Sequence, residues 1–164
     1  MRVLGLDPGS LHTGYGLIER RGSELRALAH GRISCPRGKP LADRLAHLGA
    51  ALATLLDLHR PDAVALEAVF HGANARSLIV LAQARGALVA VVAARGIRLR
   101  EYAPAEVKSA VTGNGRADKQ QVSRMVQMLL ALPAPARPPD AADALAIALC
   151  AAQRDRLDRL ASEC

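Results

Sequence analysis

The order of apolar patterns along this chain predicts an α/β fold, a five-stranded mixed sheet flanked by helices. Three observations carry that reading. Three strand-like runs at 2–7, 13–20 and 24–34 follow one another across short turns, as in an antiparallel meander. A helix with one apolar face separates them from a compact strand at 63–67, so that strand returns through a crossover and lies parallel to one already in the sheet. A second helix then leads to a fifth strand at 97–102.

The elements can be justified in turn. "RVLGLD" is an apolar run that ends on Asp7, and Pro8 and Gly9 break it. The next two strands meet at the turn "RRGS". Leucines at 41, 45, 48, 52, 55 and 56 recur with helical spacing over 41–58, and "RPD" at 60–62 stops that helix. "AVALE" at 63–67 is short, buried in character and ends on Glu67. A helix is expected over about 74–94, with Gly86 permitting close approach, and a short one over 104–111 before the loop "TGNGRA". Asp118 caps a helix over about 119–132, with Gln121 at the capping-box position. "PAPARPP" at 133–139 is a rigid break, and the last helix starts at Asp140 and fades in the charged end "RDRLDRL". With no linker long enough to divide the chain, one domain over 1–150 and a charged C-terminal extension over 151–164 are expected.

Composition narrows the function. An apolar fraction of 51% supports a real core, and a net charge of +7 points to a polyanionic partner, most commonly nucleic acid. Cys35, Cys150 and Cys164 are widely spaced and form no CxxC or Cys/His pattern, so they read as reduced thiols without zinc. Asp7 and Pro8 interrupt the first apolar run, so no signal peptide is expected. The apolar stretch at 88–94 is bounded by Arg85 and Arg95 and is too short for a bilayer. A cytoplasmic location is the resulting expectation.

The chemistry is carried by acids. If the fourth strand pairs beside the first, Asp7 and Glu67 end adjacent parallel strands, where open α/β sheets bind ligands. Asp140 and Asp143 stand three residues apart at a helix start, on one helix face. Each is also readable as an ordinary helix-cap or first-turn acid. Four carboxylates at the ends of three core elements would repel one another and raise their own pKa values. Two magnesium ions would neutralise them and clamp a phosphodiester for attack by water.

Basic and aromatic residues complete the candidate set. Lys119 follows a Gly-rich turn and opens a helix, a place suited to a phosphate, with Lys108 and Arg116 nearby. Phe70 is the only phenylalanine. It precedes the polar stretch "HGANARS", which contains Asn74 and Arg76, and could stack on an unpaired base or belong to the core.

At this point the chain resembles a known family. "GLDPGSLHTGYGLIE", "LEAVFHGANARSLIVLAQARG", "EYAPAEVKSAVTGNGRADKQQV" and "PPDAADALAIA" resemble the RuvC family of Holliday junction endonucleases, in order, from about residue 2 to 150. The resemblance implies a ribonuclease H-like fold and a homodimer that nicks opposed strands of a four-way DNA junction in recombination and repair. It implies Mg2+, two ions per site, with Mn2+ as a substitute, and the RuvA-RuvB branch-migration complex as partner. It places the catalytic, metal-binding carboxylates on Asp7, Glu67, Asp140 and Asp143. Basic residues near the scissile phosphate fall on Lys108 and Lys119, and the junction aromatic on Phe70; Asn74, Arg76 and Arg116 are further DNA contacts. Dimer contacts are expected around the helix at 74–94. No role is carried onto His71 or onto 151–164. Rival readings are a YqgF-type nuclease acting on RNA precursors, a non-catalytic junction-binding module, and a phosphate-binding fragment of the actin and sugar kinase group. The last needs two domains to enclose a nucleotide, and 164 residues are too few.

Overall fold

The computed structural model describes residues 1–68 and 74–162 of the chain. Strands β1 (Arg2–Asp7), β2 (His12–Arg21) and β3 (Glu24–Ser34) form the meander. Helix α1 (Leu41–His59) crosses to β4 (Ala63–Glu67), and α2 (Ala75–Ala93) crosses to β5 (Arg98–Tyr102). Helices α3 (Pro104–Thr112), α4 (Lys119–Leu129) and α5 (Pro139–Ser162) follow. The sheet order is β3-β2-β1-β4-β5. β1 runs antiparallel to β2 and parallel to β4, with Leu6 opposite Leu66, so Asp7 and Glu67 leave the sheet at the same end.

Residues alternate between two cores, as the period of two of a strand requires. Leu4, Leu6, Val64 and Leu66 pack with Leu48, Leu52 and Leu56 of α1 and Leu88 and Val92 of α2. Val3, Ile18 and Ala65 face the other way, onto Leu145 and Leu149 of α5 and the buried sides of α3 and α4. β1 is therefore buried on both faces, which explains its continuous apolar run.

Local signals set the boundaries. Arg60 takes a left-handed conformation and ends α1. The side chains of Asp118 and Gln121 satisfy the start of α4 reciprocally. α4 stops at Leu129, short of the expected 132, because Leu130 leaves helical geometry and Ala131 turns to φ 48°. The larger difference is α5. It does not fade in the charged end at 154–160 but runs to Ser162, and Ala151, Ala152 and Asp155 are buried. Asp155 is tied to Arg98 of β5 at 2.9 Å, and Arg20 of β2 lies at 4.0 Å. The charged composition of this stretch concealed a buried ion cluster.

α2 occupies the expected span. Taken as a whole helix rather than by its apolar C-terminal half, it is long and apolar enough to cross a membrane by length and composition. It carries Arg76 and Arg85, and one face, with Ala84, Leu88 and Val92, is buried in the core with α1.

Candidate active site

The end of the sheet where β1 and β4 finish opens into a cleft of about 260 Å³. Asp7, Glu67, Lys108, Lys119 and Asp143 line it, with Pro104, Val107, Val122 and Ala146 as apolar walls. Asp7 and Glu67 arrive as the last residues of adjacent parallel strands. Lys108 comes from α3, Lys119 is the first residue of α4, and Asp143 lies one turn into α5.

How α5 reaches the acids is decided by glycines. Gly5 and Gly14 face α5, and a Cβ on either would run into helix backbone, the carbonyl of Ala144 above Gly5 and that of Asp140 above Gly14. The helix start therefore lies directly on the sheet beside Asp7, which is paired with Gly14 in register. A larger residue would force the helix, and with it two acids, away from the strand ends.

The acids lie close enough to feel one another's charge. Burial pushes Asp7 up to about 7, and the charges of Asp143, Glu67 and Asp140 push in the same direction. Glu67 is also raised, by burial first and then by Asp143. Lys119 opposes this field. Its ammonium donates to Asp143 Oδ2 at 3.1 Å, and its pKa is raised by that bond and by the charges of Asp143, Asp7 and Asp140. Asp140 is outside the cleft lining and has a separate counter-ion, Arg32 of β3, at 3.5 Å.

The donor set tests what the site could hold. It consists of carboxylate oxygens, the ligands that hard divalent cations take. A cation shared among them would relieve the repulsion that raises Asp7. As they stand, no three acidic, histidine or cysteine side chains among the described residues are drawn together tightly enough to cage an ion. Asp143 is engaged by Lys119 and Asp140 by Arg32, each through Oδ2, which leaves the second carboxylate oxygen of each for a cation. Donor chemistry fits; the present rotamers are those of a charge-balanced site.

The remaining candidates fall into distinct places. Arg116 is exposed in the α3–α4 loop. Asn74 caps α2, its side chain accepting from the Arg76 amide at 2.9 Å, and Arg76 is exposed. Phe70 and His71 lie outside the described residues. Sequence reasoning missed Arg32. The available signal was a basic residue on a polar edge strand, which becomes informative only when β3 is known to lie two strands from Asp7.

Comparison with known proteins bears on this arrangement. A family model described as crossover junction endodeoxyribonuclease RuvC matches residues 3–151. A protein of that description from Thermomicrobium roseum is 46% identical over 160 residues, 98% of each chain. One from Syntrophomonas wolfei is 45% identical over 150 residues, 92% of this chain and 87% of its own. Among solved structures, Thermus thermophilus RuvC in complex with a Holliday junction substrate superposes with a TM-score of 0.92. It is 33% identical and covers 96% of both chains.

Proposed function

The chain belongs to the RuvC family of crossover junction endodeoxyribonucleases, and from that premise we propose how its cleft cuts DNA. The fold is ribonuclease H-like and the function is that of a Holliday junction resolvase, a nuclease of recombination and repair. The observation that carries the reading of the site is the mutual repulsion of Asp7, Glu67, Asp140 and Asp143 at one sheet end, against two lysines.

In this reading the four carboxylates would hold divalent cations, magnesium by preference and manganese as substitute. When bound, such ions supply Lewis acidity toward the phosphodiester and a readily deprotonated water. Lys119 releases Asp143 and meets the scissile phosphate, and Lys108 neutralises the neighbouring charge from α3. Val107 and Val122 exclude bulk water from one wall, which strengthens each charge interaction in the cleft. Phe70 is assigned to an unpaired base at the junction centre, and Asn74, Arg76 and Arg116 to backbone contacts.

Symmetric nicking calls for two sites, and the outer face of α2, where Ile79 is 61% exposed, is the proposed contact between two copies. The RuvA-RuvB branch-migration complex is the proposed protein partner and the cytoplasm the proposed compartment, both supported by family membership alone.

The test incubates the protein with a synthetic four-way junction, matched linear duplex and RNA, with and without magnesium. Paired nicks in the junction only, dependent on magnesium, are expected. Equal cutting of linear duplex, or preference for RNA, would defeat the reading.

A further inference from the structure

The function above uses the basic residues of α3, α4 and the loop between them, and Arg76 of α2. The β3 side of the acids is also basic. Residues 32–44 carry Arg32, Arg37, Lys39 and Arg44 against the single acid Asp43. This segment is fastened to the loop that follows Asp7: the Cys35 amide donates to the Leu11 carbonyl at 2.9 Å, and Arg44 Nη1 to that of Ser10 at 3.5 Å. Arg44 is spent on that fastening. Arg37 and Lys39 are not; both are exposed on either side of Gly38, whose φ of 74° makes the turn, and neither forms an ion pair among the described residues. Arg32 reaches back toward the cleft, beside Asp140.

The geometry lines these up. Arg32 is opposite Gly14, which is opposite Asp7, so two strand spacings, about 10 Å, separate the Arg32 and Asp7 backbones. The start of α5 lies over Gly14 between them and carries Asp140, which Arg32 meets at 3.5 Å. Lys108 and Lys119 line the cleft with Glu67 of β4, from α3 and α4. β3 ends at the same end of the sheet as β1, so Arg32, and Arg37 and Lys39 in the turn that follows β3, lie at the cleft end on the β3 side of the acids.

We propose that Arg32, Arg37 and Lys39 form a second DNA-backbone track, which takes phosphates of the strand leaving the cut on the β3 side. This rests on the junction-nuclease reading. Charges that meet phosphates release counterions, so each should add about 0.9 to the slope of log affinity against log salt.

The test measures binding of a labelled synthetic four-way junction, and of linear duplex, by the full chain in chelator across a potassium chloride series. Arg37→Gln/Lys39→Gln is expected to lower the slope by about 2, so that it loses roughly 10-fold less affinity than wild type between 50 and 200 mM salt. Arg32→Gln is expected to lower it by about 1, with Arg32→Lys restoring it; a mere counter-ion of Asp140 would leave the slope unmoved. Thermal melting equal to wild type is expected for the exposed pair. Wild-type slopes in both Gln variants, with junction preference intact, would overturn this inference alone. Failure of the wild type to prefer junction over duplex would overturn the parent reading and this one with it.

Discussion

Asp7 lies directly across the sheet from Gly14, and the start of α5 passes over that glycine with its Asp140 carbonyl against the strand. The missing side chain is what allows two acids of a helix to stand beside two acids of the sheet. Gly14→Ala is therefore expected to lift the helix start and cost about 1–3 kcal/mol in stability. Cleavage should suffer more than folding, by about 100-fold, because a displacement of about an ångström is enough to spoil a reactive geometry. Nicking assays beside thermal melting check this. Full activity in a folded Gly14→Ala protein would show that the close approach is incidental.

Removing any one acid should separate chemistry from binding. Asp7→Asn, Glu67→Gln, Asp140→Asn and Asp143→Asn are each expected to lower nicking by at least about 100-fold. Junction binding should survive, because phosphate contacts supply most of the affinity. Gel-shift and nicking measurements on the same preparations decide it.

Lys119 offers a sharper contrast. Its side chain is 84% exposed, so its bond to Asp143 adds little to stability. Lys119→Ala is expected to leave the melting temperature near wild type and to lower the cleavage rate more than the affinity. Arg154→Ala, on an exposed pair with Glu106 away from the cleft, should change neither. Equal weakening of binding by both, with rates spared, would reduce Lys119 to part of a diffuse basic field.

The Asp7 shift also predicts a pH dependence for metal-free protein. Its folded value of about 7 lies above the unfolded 3.8. Between these values the unfolded chain has lost a proton that the folded one keeps, so stability falls as pH rises. The deficit is complete above about pH 7 and amounts to about 4 kcal/mol at most. In chelator, Asp7→Asn should therefore melt near wild type at pH 4 and well above it at pH 8. Magnesium should stabilise wild type at pH 8 and help Asp7→Asn far less. A wild type that gains stability from pH 5 to 8 relative to the variant would contradict this.

Much of this was legible in the residues, for identifiable reasons. β1, β4 and α1 announce themselves by apolar runs and leucine spacing, and Asp7 and Glu67 are conspicuous because each acid ends such a run. The pairing of Asp140 and Asp143 follows from helical spacing. What could not be read depends on partners distant in sequence. Arg32 meets Asp140 only because β3 and α5 come together on one face, and Gly14 matters only because of the helix above it. The end of α5 was the plainest failure, because a run of alternating charges is normally a solvated face.

That end carries the last prediction. Asp155 is 6% exposed, held by Arg98 at 2.9 Å with Arg20 at 4.0 Å, and so joins α5 to β5 and β2 at the sheet end opposite the cleft. A buried carboxylate between two guanidinium groups is costly to break from one side, because a remaining charge that stays buried keeps its desolvation cost without its partner. Arg98 is half exposed and regains water once its partner is gone, so Asp155→Ala is expected to destabilise the protein by about 1.5–3 kcal/mol. A chain ending at Cys150 removes the same carboxylate together with buried Ala151 and Ala152, and should fare no better. The position also makes a second claim. The cluster is far from the acids, so wherever Asp155→Ala remains folded, at low temperature, its nicking rate per folded molecule should match wild type. Chemical denaturation gives the first quantity and nicking at two temperatures the second. A truncated chain as stable as wild type would show that 151–164 is an appendage after all, whereas a folded Asp155→Ala protein with a crippled rate would show that the far end of α5 sets the position of Asp140 and Asp143.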